Sequence, residues 1–136
     1  GNNYTVSYEN NTTSTINKRA VSLDGSRTYD NTTDLAFGIF SILNRAGGET
    51  LTLSGTGSMA DEHFGTDKAV TLGSLALGNG TGDAANYTLT GGTHLVDISK
   101  QSITLSTTNV TKTYDAGVTA SGTANVVSGT LYSGDT

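Results

Sequence analysis

The sequence predicts an all-β fold built mainly of antiparallel strands. Three observations carry that expectation. Apolar and polar residues alternate in short runs, as in Thr50-Leu51-Thr52-Leu53 and Ser102-Ile103-Thr104-Leu105, which is the period of a strand with one buried face. Gly, Asn and Asp interrupt these runs every few residues, and turns favour those residue types. Charged residues make up only 14% of the chain, and Thr, Ser, Gly and Asn fill much of the rest. A disordered chain carries more charge and fewer β-branched residues, so this composition suits a thin, strand-rich module with a modest core.

Taken in order, Tyr4-Thr5-Val6-Ser7-Tyr8 alternates and reads as a strand, followed by a polar, Asn-rich turn over residues 9–14. Residues 16–23 return to strand character, with Ile16, Ala20, Val21 and Leu23 inward, and Asp24-Gly25-Ser26 predicts a turn. Residues 35–43 are the most apolar stretch, with Leu35, Phe37, Ile39 and Ile42 as core candidates. At this length, periodicity does not separate a buried strand from one or two helical turns. Gly47-Gly48 ends the stretch, and residues 50–55 form a half-buried strand through Leu51 and Leu53. Val70, Leu72, Leu75 and Leu77 read as one further strand with a bend or bulge at Gly73. Beyond the glycine-rich residues 78–82, the expected core is completed by Tyr87, Leu89, Val96, Ile98, Ile103 and Leu105.

Bulk properties exclude several classes. The 136 residues contain no Cys, so neither disulfides nor thiolate chemistry is available. The net charge is −5 with no basic run. Nucleic acid and anionic membrane surfaces are therefore not expected partners, since both need clustered Lys and Arg. No apolar run approaches the roughly 20 residues that cross a bilayer, so membrane insertion is not expected. No signal peptide is visible, and the opening Gly1-Asn2-Asn3-Tyr4, already in mid-pattern, reads as an excised fragment of a longer chain.

The strongest signal is internal similarity. Asn3-Tyr4-Thr5 returns as Asn86-Tyr87-Thr88, and Ile16 to Leu23 returns as Ile98 to Leu105. Thr28-Tyr29-Asp30 returns as Thr113-Tyr114-Asp115, and Gly48-Glu49-Thr50 is echoed by Gly134-Asp135-Thr136. The offsets are about 82 to 86 positions in the same order, a period that means tandem domains rather than a short-repeat solenoid. On this plan residues 1–15 end one repeat, residues 16–97 are one complete repeat, and residues 98–136 begin the next. Tyr4, Tyr29, Asp30, Tyr114 and Asp115 are the repeat landmarks. Residues 106–136 lack the middle strands of their repeat. They are expected either to be poorly ordered or to cover open edges by pairing with residues 1–15 or another chain.

Candidate sites are few. Asp83-Ala84-Ala85-Asn86-Tyr87 fits the pattern of a tyrosine corner, in which the ring packs inward and the hydroxyl bonds back to the backbone. Asp83 and Tyr87 are thus expected to pin a structural corner, and the architecture expected is an immunoglobulin-like β-sandwich. The alternative is a β-grasp-like sheet with Ile39 to Leu43 as a short helix. Asp61-Glu62-His63 and His94 lack the spacing of a zinc site and read as solvated loop residues. Asp24, Asp30 and Asp34 cluster around a turn, which leaves a weak opening for calcium, although the spacing is not that of an EF-hand. The glycines of residues 78–82 match neither a phosphate loop nor a calcium repeat, and no Gly-x-Ser-x-Gly elbow is present. No catalytic residue and no cofactor is expected. Asn-x-Ser/Thr acceptors occur at Asn3, Asn10, Asn11, Asn31, Asn79, Asn86 and Asn109, in a chain whose Asn and Thr content alone generates many such matches. The Thr faces of the alternating strands read as the solvated side of a sheet, with ice or glycan binding as the sharper alternative.

The Arg27-Thr28-Tyr29-Asp30 and Lys112-Thr113-Tyr114-Asp115 segments, together with residues 51–57, 64–70 and 82–89, resemble the YDG repeats of large bacterial adhesins. Those adhesins are similar to filamentous haemagglutinin and are exported by two-partner secretion. The resemblance covers nearly the whole chain. It departs at Asn31 and Ala116, where Gly commonly follows Tyr-Asp, and at the repeat junction, where the common Pro is missing. It implies a non-catalytic stalk or spacer module at the bacterial cell surface or outside the cell, acting in cell adhesion or biofilm formation. Its partners would be neighbouring repeats of the same chain. A second class of function is glycan or matrix-polysaccharide binding, for which Tyr8, Tyr29, Tyr114 and Tyr132 offer aromatic faces.

Overall fold

The computed structural model describes residues 3–135. Gly1, Asn2 and Thr136 lie outside the described residues, and so do the start of the Gly1-Asn2-Asn3-Tyr4 opening and the end of the Gly134-Asp135-Thr136 echo. The described chain is all-β, with no α-helix. In chain order the strands are β1 (Arg19–Ala20), β2 (Ser22–Thr28), β3 (Asp34–Ala36), β4 (Phe40–Leu43), β5 (Leu51–Ser54), β6 (Thr56–Ser58) and β7 (Gly65–Ala69). They continue with β8 (Ala76–Asn79), β9 (Tyr87–Thr88), β10 (His94–Ser99), β11 (Thr104–Thr107) and β12 (Ala124–Ser128). Single 3-10 turns at Phe37–Ile39 and Ala84–Asn86 lead into β4 and β9.

A four-stranded sheet, ordered β4-β2-β10-β7, forms the centre. Its outer face is polar: Asp24, Ser26, Thr28 and Asp97 are exposed. Its inner face carries the core, with small ribbons β3-β6 and β5-β8 contributing from across it. One cluster gathers Val21, Leu23, Ile42, Leu51, Leu75, Tyr87 and Leu89. A second joins Leu35, Met59, Val96 and Ile98, and Phe40 and Val70 pack against both. Fully burying one such aliphatic side chain stabilises by about 1.5–3 kcal/mol, so these two clusters dominate what holds the module together.

Most strand pairings are antiparallel, but β1–β9 and β2–β10 are parallel. Both parallel pairings bring residues 87–99 back beside residues 19–28. Parallel neighbours need a long crossover, and here almost the whole copy lies between them.

Several sequence expectations are corrected. Asp24-Gly25-Ser26 is not a turn but lies inside β2. Gly25 is needed there for a close approach, because a Cβ would stand 2.7 Å from the Phe40 ring. The helix of the β-grasp alternative is absent among the described residues, since Phe40–Leu43 is a strand paired antiparallel to β2. Gly73 is not a bulge in a continuous strand. β7 ends at Ala69, and Gly73 turns the chain with φ 54° before β8. Tyr4 to Tyr8 forms no strand, and residues 3–18 are exposed without regular structure, Ile16 included. Ala20, Phe37, Ile103 and Leu105 are exposed rather than core, while Met59 is buried. Residues 104–128 do not pair with residues 3–15; β11 and β12 pair with each other.

Candidate functional site

The corner residues meet at the closing end of the complete copy. Asp83 caps the 3-10 turn by accepting from the Ala85 N–H at 2.9 Å, and that turn delivers the Tyr87 ring into the core, where it is 4% exposed. The Tyr87 hydroxyl donates to the Glu49 carboxylate and accepts from the Ala46 N–H at 3.2 Å. The hydrogen bond to Glu49 holds the Tyr87 phenol above its usual range. The hydroxyl reaches backbone some forty positions upstream and joins the Ala46 turn to the glycine-rich loop. There Thr50 and Thr81 also exchange hydrogen bonds, Thr50 N–H to Thr81 Oγ1 at 2.8 Å and Thr81 N–H to Thr50 Oγ1 at 2.9 Å. Tyr4, the matching landmark, is 89% exposed.

The Tyr-Asp segments build the same turn twice. Asp30 accepts from the Thr32 N–H at 3.1 Å, and Asp115 accepts from the Gly117 N–H at 2.9 Å. Between them stand Asn31 and Ala116, with φ 61° and 59°. This is the left-handed region that glycine occupies most easily, so both copies retain the backbone of the common Gly without the Gly. The cation three residues before each Asp also repeats its role. Arg27 pairs with Asp30 and donates to the Thr32 carbonyl. Lys112 donates to Asp115 at 2.7 Å and to the Gly117 carbonyl at 3.0 Å. The Lys112 contact, then the Gly117 N–H, lowers the Asp115 carboxyl below its usual range. Burial pushes the Arg27 guanidinium down, and Asp34 pulls it back.

A cleft of about 300 Å³ separates the complete copy from the β11–β12 segment. Tyr29, His63, Phe64, Lys100, Leu131 and Asp135 are among the residues that line it. The Tyr29 and Tyr132 rings meet edge to face at 5.5 Å. Neither Phe64 nor Asp135 stood out in the sequence as a contact residue. The one available signal was the alignment of Asp135 with Glu49, the acidic partner of Tyr87.

The acid and histidine candidates are scattered. Asp24 lies exposed in β2, Asp30 is engaged by Arg27 and Thr32, and Asp34 lies exposed in β3. No group of three or more metal-ligating side chains gathers among the described residues. Asp61 is engaged by Lys68, which lowers its carboxyl below the usual range. His63 is exposed, but His94 is not a loop residue. It opens β10, its Nδ1 accepts from the Leu23 N–H at 3.2 Å, and its Nε2, left with the proton, faces the Leu89 carbonyl at 2.9 Å. The imidazole therefore ties β2 to the loop after β9. No helix among the described residues is long and apolar enough to cross a membrane.

This fold defines an all-β module with a duplicated Tyr-Asp turn and a closing tyrosine. The chain belongs to the YDG domain family, whose profile matches residues 12–94. No curated protein and no solved structure matches the chain.

Proposed function

We propose that the chain is a non-catalytic spacer in the stalk of a secreted or cell-surface bacterial adhesin similar to filamentous haemagglutinin and exported by two-partner secretion. There it extends the adhesive region for cell adhesion or biofilm formation, with neighbouring repeats of the same chain as its partners. The observation that carries this reading is serial construction. The β2–β4 pairing places Ser22 opposite Leu43 and Leu23 opposite Ile42. One repeat later, β11–β12 places Thr104 opposite Ser128 and, across a bulge, Leu105 opposite Val126. Only residues 100–103 separate β10 from β11, and so short a connection leaves little freedom between units. The resemblance in the Tyr-Asp segments supplies the adhesin and export parts of the reading.

A second reading, glycan or matrix-polysaccharide binding, draws on Tyr8 and Tyr114, whose rings stand open to solvent. A glycan array probed with this chain decides between them. The spacer reading expects no specific binding, and saturable micromolar binding to a defined glycan would overturn it.

A further inference from the structure

The two copies meet at a surface that the sequence did not single out. Tyr29 belongs to the first copy, just after β2, and Tyr132 to the next, yet their rings pack edge to face at 5.5 Å with an interplanar angle of 86°. The Tyr29 hydroxyl lies 3.1 Å from the Asp135 carboxylate and 3.0 Å from Asn31. Its single proton goes to the charged acceptor, the stronger of the two. Lys100, the first residue after β10, sets its ammonium 5.0 Å from the centre of the Phe64 ring, which anchors the connection itself.

The same chain holds a control. Tyr114 occupies the position of Tyr29 in an equivalent turn, no Tyr132–Asp135-type turn packs against it among the described residues, and it is 88% exposed. Tyr29 is half-buried, and burial, followed by the Asp135 hydrogen bond, raises its phenol above the usual range. The occupant is also a repeated element. The Asp135 N–H returns to the Tyr132 carbonyl at 3.2 Å, as the Glu49 N–H returns to the Ala46 carbonyl at 2.8 Å. In the complete copy the acid of this turn holds Tyr87 of its own copy; in the second it holds Tyr29 of the copy before. A carboxylate has acceptor sites for both hydroxyls, so closing a copy and docking it on its predecessor are compatible.

We propose that Tyr29 is the docking residue of an inter-repeat joint, whose occupant is the Tyr132–Asp135 turn of the succeeding copy, that the Lys100–Phe64 contact braces the connection beside it, and that this joint fixes the angle between consecutive copies. The joint rests on the serial spacer reading and gives it a partner and a seat.

Amide hydrogen exchange on the full chain tests it residue by residue. In Tyr29→Ala and Tyr132→Ala, exchange in β11 and β12 is expected to quicken about tenfold, with β10 protection kept in Tyr132→Ala. In Tyr114→Ala, exchange in β11 and β12 is expected to stay at the wild-type rate. Should Tyr29→Ala unfold the complete copy, Tyr132→Ala carries the test alone, since its side chain belongs to the second copy. The joint is overturned if β11 and β12 exchange at the wild-type rate in Tyr132→Ala, or if Tyr114→Ala quickens them equally. Glycan binding would sink the spacer reading without altering these rates, so the two failures are distinguishable.

Discussion

Residues 16–97 and residues 98–136 are built from similar opening elements and differ in what covers them. Leu23 in β2 is 1% exposed, whereas its counterpart Leu105 in β11 is 60% exposed. Each has an antiparallel partner at the matching place, although a bulge between Thr104 and Leu105 shifts the second register by one residue. What the second lacks is the other side: β2 lies between β4 and β10, while β11 has β12 alone. Hydrogen-bond pattern and turn geometry are thus specified locally, and burial is conferred by the strand that returns from the far end of the copy. Residues 3–18 make the converse point. Tyr4 and Ile16 correspond to Tyr87 and Ile98, which are core residues, but both stand exposed in residues 3–18.

The comparison can be broken most sharply at the leucines. Leu23→Ala should destabilise the protein by about 3 kcal/mol, because it leaves a cavity in a packed cluster, whereas Leu105→Ala should cost less than about 1 kcal/mol. Urea denaturation followed by circular dichroism measures both, and equal losses would mean that the second copy has a core of its own. A smaller effect is expected at the closing tyrosine. Tyr87→Phe removes the hydroxyl between Glu49 and Ala46 and should lower Tm by about 5 °C, while Tyr4→Phe should leave Tm unchanged.

The same hydroxyl sets a pH dependence. The phenol is raised in the folded state, chiefly by its hydrogen bond to Glu49. Its contribution is therefore present below the unfolded value of about 10 and is lost as pH rises through the folded value. Alkaline unfolding should lose this component in Tyr87→Phe. The smallest effect is expected at the left-handed turn residues. Ala116→Gly should relieve strain of roughly 1 kcal/mol and slow exchange of the Gly117 N–H, whereas Asn31→Gly should gain only about 0.3 kcal/mol, because Asn tolerates that conformation.

These differences explain what could be read from the sequence. The all-β class followed from alternation, and the strand at Leu51–Ser54 followed from its hydrophobic period, because both are local properties. Gly25 misled because glycine serves close approach as well as turning, and nothing local announced the Phe40 ring that lies against it. Met59 was missed because a lone Met in a polar stretch has no period. Its burial comes from Leu35, Val96 and Ile98, which are distant in the chain. Ile103 and Leu105 have the pattern of core residues without the partners. At the candidate site, the Tyr-Asp turn and the Asp83–Tyr87 corner lay in short motifs. The Tyr29–Tyr132–Asp135 contact joins residues about a hundred positions apart, and only the repeat alignment hinted at it.

The parallel pairing of β2 with β10 has a consequence for tension. β2 enters the sheet at Ser22 and β10 leaves it at Ser99, and their register runs from Leu23 opposite His94 to Thr28 opposite Ser99. A pull along the chain, upstream at β2 and downstream at β10, draws the two strands past each other lengthwise. The load falls in shear on the whole ladder at once, rather than peeling its bonds one by one from an end. A strand order adopted to bury Val96 and Ile98 thus also arranges the module as a clamp.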